Sequence, residues 1–393
     1  MSDPDAGGGD LGRLDRFLAL KERELYVVLF TTIGVLLFPM FLIDFMGTFE
    51  GFTGLSLGGY VGLPTLVLVY GIVVIGFNVL LGYTGLLSFG HAAFFGVAAY
   101  AAAIFSTVVS GGPLAMILVG FLAGTLLAWP IGFLSIRRSG VYFAVLTLTF
   151  GQMLYYLAMG PAGILTHGDD GFTPNPQDLL GTFALDRPLQ LFQVPVLGWE
   201  PHLTPRYLLA GAFTVLAVAV AHRIIKSPYG LIFEALGQNE QRVSFVGLDV
   251  FRYKLMAFVI SGAFAGVGGA LYTLYKTSLI HPNGTLLWVV SGDFVIMTAI
   301  GGVGTLIGPI FGAAIFEYIR LVLSGITVFG VEIGSAWRFL LGLAFVLVVA
   351  FFPKGVYGGL RGLAHRIAVL LGASEARPES AETPAGSEPR GDD

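Results

Sequence analysis

The chain has 393 residues, of which 55% are hydrophobic and only 12% charged, with a formal net charge of -4 and no cysteine. Soluble domains carry about 25% charged residues, so the composition excludes a soluble enzyme, a nucleic-acid binder and a disordered chain. Without thiols there is neither a disulfide nor a thiolate metal centre. Residues 51–136 run for 86 positions without Asp, Glu, Lys or Arg. A membrane span takes about 20 apolar residues, so this stretch alone holds three or four.

In chain order, residues 1–24 mix acids and bases and read as a polar cytoplasmic lead-in, not as a signal peptide with a basic start and short apolar core. Hydropathy then predicts about ten spans: Leu25–Ile43, Leu63–Leu81, Phe89–Val109, Leu114–Phe133, Val141–Met159, Tyr207–Ala221, Leu255–Tyr275, Leu287–Ile300, Thr305–Val322 and Phe339–Phe352. The expected fold is an all-α polytopic transmembrane bundle over residues 25–358. Between spans five and six lies an outside loop, 160–206, rich in Asp and Pro. A mixed-charge cytoplasmic loop occupies 222–254, and residues 359–393 form a cytoplasmic, partly disordered tail. With both termini inside, 16 of the 21 Lys and Arg fall on inside segments, as the positive-inside rule requires.

No catalytic signature is present. The chain has no G-x-x-x-x-G-K-[ST], no H-E-x-x-H and no G-x-S-x-G, and its six histidines have no metal spacing. These observations favour a conduit over an enzyme. No nucleotide, metal or other cofactor is expected on this chain.

The cytoplasmic loop is the most patterned polar segment. Ser227 and Pro228 mark a helix start, with Ser as the cap and Pro in the first turn. Ile232, Ala235 and Leu236 share a face at helical spacing, Glu234, Glu240 and Arg242 supply polar partners, and Gly247 closes a second short helix. A partly apolar helix held between two spans suits a subunit pushed by a soluble partner; an amphipathic helix lying on the lipid surface has the same pattern.

Ser227-Pro228-Tyr229-Gly230, Glu234-Ala235-Leu236-Gly237-Gln238-Asn239-Glu240 and Gly247-Leu248 resemble the coupling loop of LivM-type branched-chain amino acid ABC transporter permeases. The resemblance continues in Gly82–Gly96, Gly140–Ala144, Ser261–Tyr272, Gly301–Pro309 and Phe352–Gly355, in that family's order. It implies a coupling role for Ser227, Pro228, Tyr229, Gly230, Glu234, Ala235, Gly237, Glu240 and Gly247. It also implies partners: a second permease subunit, two cytoplasmic ABC ATPases that carry ATP and Mg, and an extracytoplasmic substrate-binding protein, all at the plasma membrane of a prokaryote. One run departs from the family's Thr-Gly-Gly-x-Asp-Gly. Here it reads Thr166-His167-Gly168-Asp169-Asp170-Gly171, with His167 where Gly would permit a left-handed backbone. Urea or short-amide permeases share most of these blocks. A stand-alone secondary transporter or channel is the reading from a different class.

Ser88, His91, Gln152, Tyr156 and Asp293 are the candidate pathway residues. Asp293 is read as the only acid near the middle of a span, where a charge costs roughly 2.5–3.5 kcal/mol on insertion scales and needs a partner. Each of the five also has a purely structural reading as a hydrogen-bonded packing residue. Two glycine ridges, Gly262, Gly266, Gly269 and Gly304, Gly308, Gly312, are expected to let helix backbones approach closely.

Overall fold

The computed structural model describes residues 26–39, 62–109, 111–178, 185 and 204–325, with short pieces between 327 and 358. These residues form helices α1 Tyr26–Pro39, α2 Leu63–Asn78, α3 His91–Val108, α4 Pro113–Ser135, α5 Val141–Met159 and α6 Gly163–Thr166. They continue as α7 Pro205–Lys226, α8 Pro228–Gln238, α9 Glu240–Phe245, α10 Val250–Tyr275, α11 Pro282–Thr285, α12 Trp288–Gly301 and α13 Gly308–Gly325. Two-residue strands Thr327–Val328 and Val331–Glu332 pair antiparallel beyond α13.

Seven helical segments among the described residues are long and apolar enough to cross a membrane. They include α2 with its π-helical last turn (Val79–Tyr83), and α11 and α12 taken together. α1 is shorter, and α13 carries two charges, Glu317 and Arg320. The predicted helix Phe339–Phe352 falls almost wholly outside the described residues, as do both termini, so the expected count of ten and the sidedness of the termini lie beyond them.

Helix ends follow local chemistry more than hydropathy. α7 starts where Thr204 accepts a hydrogen bond from the Tyr207 N–H at 3.1 Å. It outlasts the apolar run by five residues because Arg223 and Lys226 suit a helix C-terminus. It stops at Ser227, which adopts ψ 166°, the extended conformation that a following proline imposes. α10 likewise begins five residues before its apolar run, capped by Asp249 on the Arg252 N–H at 3.2 Å.

α2 sits at the centre, with every residue from Leu63 to Asn78 buried; a helix apolar all round is one surrounded by others. α10, α13 and α7 pack against it. The largest helix pair is α10 on α4, and glycine explains its closeness. A side chain at Gly266 would come within 2.5 Å of the Gly120 carbonyl, and one at Gly124 within 2.7 Å of Gly266 Cα. Gly262 meets Ala128 in the same seam, and Gly269 meets the Phe95 carbonyl on α3. In the second ridge Gly308 and Gly312 bring α13 against Gly301 and Met297 of α12. Gly304 does not belong to that ridge: it lies in the turn before α13 at φ +79°, a left-handed conformation that a side chain disfavours.

Asn78 ties this turn to the end of α2. Its side-chain amide donates to the Thr305 carbonyl at 2.7 Å and accepts from the Gly304 N–H at 2.9 Å.

Candidate functional site

Segment 227–249 is a folded pair of short helices held against the bundle. Pro228 opens α8 as expected, but Ser227 does not cap it: its hydroxyl turns back and donates to the Ile224 carbonyl at 2.6 Å. The buried face of α8 is Gly230, Phe233 and Leu236, whereas Ile232 is only half-buried and Ala235 is exposed. The sequence reading chose a face rotated by about one residue because it weighed Ala235 and overlooked Phe233. Gly230 is required where α7 turns into α8, since a Cβ there would strike the Ile225 carbonyl. Gly237 lies against the end of α2, where a Cβ would meet the Tyr83 carbonyl at 2.6 Å.

Asn239 caps α9 through the Arg242 N–H at 3.1 Å, and Gly247 ends the segment at φ +87°. Glu240 reaches across to α10, where its carboxylate pairs with the Lys254 ammonium at 2.5 Å. Lys254 is only 3% exposed. Outward, the same segment presents Tyr229, Leu231, Phe245 and Val246, the last two 88% and 79% exposed, beside the exposed Glu234.

The candidate pathway residues do not converge. Ser88 and His91 are fully buried. The Ser88 hydroxyl accepts from the Gly90 N–H at 3.3 Å. His91 Nε2 contacts Ser261 Oγ at 2.6 Å, and its ring packs edge-on against Phe77 and Phe94 at 4.8 and 5.3 Å. Gln152 is half-buried on α5, whereas Tyr156, one turn on, is 66% exposed. Tyr155 instead donates to Asn283 at 2.6 Å. Asp293 lines a cavity of about 170 Å³ with Asn283, Tyr70, Phe294 and Arg320.

That cavity leads to a cluster the sequence reading missed. Asp293 is not the only acid among these helices: Glu317 of α13 is 1% exposed, and its Oε2 accepts from Arg320 Nη2 at 2.8 Å. Both charges fall inside the predicted span Thr305–Val322 at i, i+3 spacing, which was the available signal. Glu317 and Arg320 line a second cavity of about 500 Å³ with Leu63, Leu66, Tyr70, Tyr272 and Tyr275. Tyr70 and Arg320 border both cavities. The cluster gathers the first half of α2, the end of α10, the first half of α12 and the Glu317–Arg320 pair of α13. The 227–249 segment meets the opposite ends of α2 and α10, so the two polar regions lie at opposite halves of the bundle.

The segment predicted as an outside loop makes a turn at His167. That residue takes φ +60°, the single left-handed non-glycine among the described residues, and its ring lies 5.1 Å from Phe172. Beyond it, His281 Nε2 contacts the Asp169 carbonyl at 2.7 Å, and Phe172 pairs with Ile280 through backbone hydrogen bonds. The loop is thereby fastened to the rim on which Asn283 sits. No cluster of His, Asp or Glu with metal-binding geometry occurs among the described residues.

Comparison with known proteins identifies the family. Residues 59–349 match the model of the family described as branched-chain amino acid transport system / permease component. The high-affinity branched-chain amino acid transport permease LivM of Salmonella typhimurium is 28% identical over 299 residues, covering 69% of this chain and 67% of that protein. Its Escherichia coli counterpart is 27% identical over 289 residues, with the same shares covered. The autoinducer 2 import permease LsrC of Salmonella choleraesuis is 27% identical over 215 residues, 53% of this chain and 52% of that protein. The match to the family model spans most of the chain, so this protein belongs to the branched-chain amino acid transport permease family and is a multi-pass membrane protein.

Proposed function

We propose that the chain is the permease subunit of an ABC importer that carries branched-chain or similar small amino acids across the cytoplasmic membrane of a prokaryote. A second permease subunit completes the pathway, two ABC ATPases bind and hydrolyse ATP with Mg, and an extracytoplasmic binding protein delivers substrate. The chain itself catalyses no reaction. The observation that carries this reading is the two-sided build of segment 227–249.

Its inner side is fixed to the bundle at Phe233, Leu236, Gly237 and the Glu240–Lys254 pair. Its outer side leaves Leu231, Phe245 and Val246 bare. Apolar side chains exposed on a polar cytoplasmic segment mark a protein interface. A rigid inner seat passes a push on to α2 and α10 instead of absorbing it. Those two helices run to the Glu317–Arg320 cluster at the far half of the bundle, where opening and closing of a pathway would be felt.

Phe245→Asp and Glu234→Arg test the reading, since both side chains are exposed and neither holds the fold. Each is expected to abolish co-purification of the ATPases and ATP-driven uptake while leaving the amount of permease in the membrane unchanged. Normal co-purification in both variants would remove the coupling assignment. Substrate uptake by vesicles that hold this chain alone would point to a secondary transporter or channel.

A further inference from the structure

We propose that Asp293, Glu317 and Arg320 form a binding site within the membrane-spanning helices for the ammonium and carboxylate groups of a zwitterionic amino acid, with its aliphatic side chain toward Leu63 and Leu66. The proposal rests on the permease reading above and deepens it by assigning the residues that hold the cargo in transit. Three observations carry it.

The first is an unsatisfied acceptor. Glu317 is 1% exposed, yet among the described residues only Oε2 is paired and Oε1 finds no hydrogen-bond partner. A buried carboxylate oxygen left without a donor is costly, and a pair built only for stability would engage both oxygens. Glu317 lines the larger cavity, so an ammonium group bound there sits beside a carboxylate with an unused acceptor.

The second is the position of Arg320. It holds Glu317 through one nitrogen and borders both cavities. A guanidinium presents five donors in a planar fork that matches a carboxylate, so its remaining face suits the anionic end of a zwitterion. Asp293 borders the same smaller cavity and provides a second acid.

The third is shape. A cavity of about 500 Å³ lies in the range of small-ligand sites; its Leu63 and Leu66 wall is apolar, while the tyrosines, with Lys276 as a second cation at the end of α10, make the other side polar. Charged residues at this depth are expensive, so they line water or a ligand path and do not face lipid. An uncharged solute such as a nucleoside has no charged ends to match the Glu317 carboxylate and the Arg320 guanidinium.

The chain has no cysteine, which permits a direct test. Leu66→Cys is introduced in the full transporter with its ATPases and labelled with a small cationic methanethiosulfonate reagent. The rate is followed with leucine, leucinamide or uridine present at millimolar concentration. Leucine is expected to slow labelling at least about tenfold, the counterpart of roughly 1.4 kcal/mol of occupancy, and leucinamide and uridine far less.

Adding the neutral pair Glu317→Gln and Arg320→Gln is expected to remove the protection while the ATPases still co-purify. Asp293→Asn should weaken the protection severalfold, and Arg320→Lys, which keeps the charge, should retain part of it. Equal labelling with and without leucine would overturn the proposal, as would equal protection by uridine or undiminished protection in the neutral pair. Failure of the ATPases to co-purify with the parent chain would overturn the permease reading, and this proposal with it; that measurement is separate from the labelling rate.

Discussion

Gly266→Ala sets two well-understood effects against each other. Alanine is favoured over glycine in a helix interior by about 1 kcal/mol, so propensity alone predicts a more stable α10. The seam with α4 predicts the reverse. The new Cβ would lie 2.5 Å from the Gly120 carbonyl oxygen and 3.2 Å from the Cα atoms of Phe121 and Gly124. All three are backbone atoms, so no side chain can swing aside, and the two helices must separate. A gap of roughly 0.5–1 Å forfeits a quarter to a half of the dispersion attraction along the seam. In lipid such packing is much of what holds helices together. Overpacking costs about 1–3 kcal/mol; with backbone contacts this close the upper half applies, and subtracting the helix gain leaves a net loss of up to about 2 kcal/mol.

Gly34→Ala on α1 is the matched control, because nothing lies within 4 Å of the added atom; it should be neutral or stabilising by up to about 1 kcal/mol. Unfolding in mixed bicelles by added SDS, followed by tryptophan fluorescence, reads both. A Gly266→Ala protein at least as stable as the parent would refute the reasoning about the α4–α10 seam.

Three further outcomes follow from named contacts. Glu240→Gln leaves the Lys254 ammonium buried without its counter-charge and should cost about 1–3 kcal/mol, toward the low end because Glu240 is 43% exposed. Lys254→Met added to it should recover most of the loss, and a double variant less stable than either single would contradict the pairing. His91→Ala empties a site enclosed by Phe77, Phe94 and Phe258 and should cost about 2–4 kcal/mol without a selective change in the KM for uptake; normal stability with an altered KM would instead make His91 part of the path. His167→Val places a β-branched residue at φ +60° and should loosen residues 163–172 in hydrogen exchange, whereas His167→Gly should not; equal protection in the two would show that the turn does not depend on that conformation.

Much of the architecture was legible because a bilayer permits few solutions. Apolar runs bounded by charge give helices, and Val141–Met159 was predicted to the residue. Ends set by capping were less legible: hydropathy stops at His222, whereas the α7 backbone continues helical until proline forces Ser227 out. The short-helix segment 227–249 was legible from Ser227-Pro228 and Gly247, yet its buried face was misread, because Phe233 and Ala235, two residues apart, point to different sides of the helix and spacing alone does not say which side the bundle covers. Asp293 was found by its charge alone. Glu317 carried the same signal and was passed over, and Arg320 entered only the charge count as an outward-leaning residue, since no local pattern says that the two meet Asp293.

The amino-acid sequence by itself determined that the chain crosses a membrane many times, where its helices run and which family it belongs to. Those properties depend on local composition and on the order of short motifs. The tertiary structure alone decided which glycines form seams and which form turns, and that His91 is a packed side chain. It also decided that acids and an arginine from α12 and α13 meet at two cavities with the tyrosines of α2 and α10. These are facts of distance between segments up to 250 residues apart in the chain, and no local pattern encodes which helix faces meet.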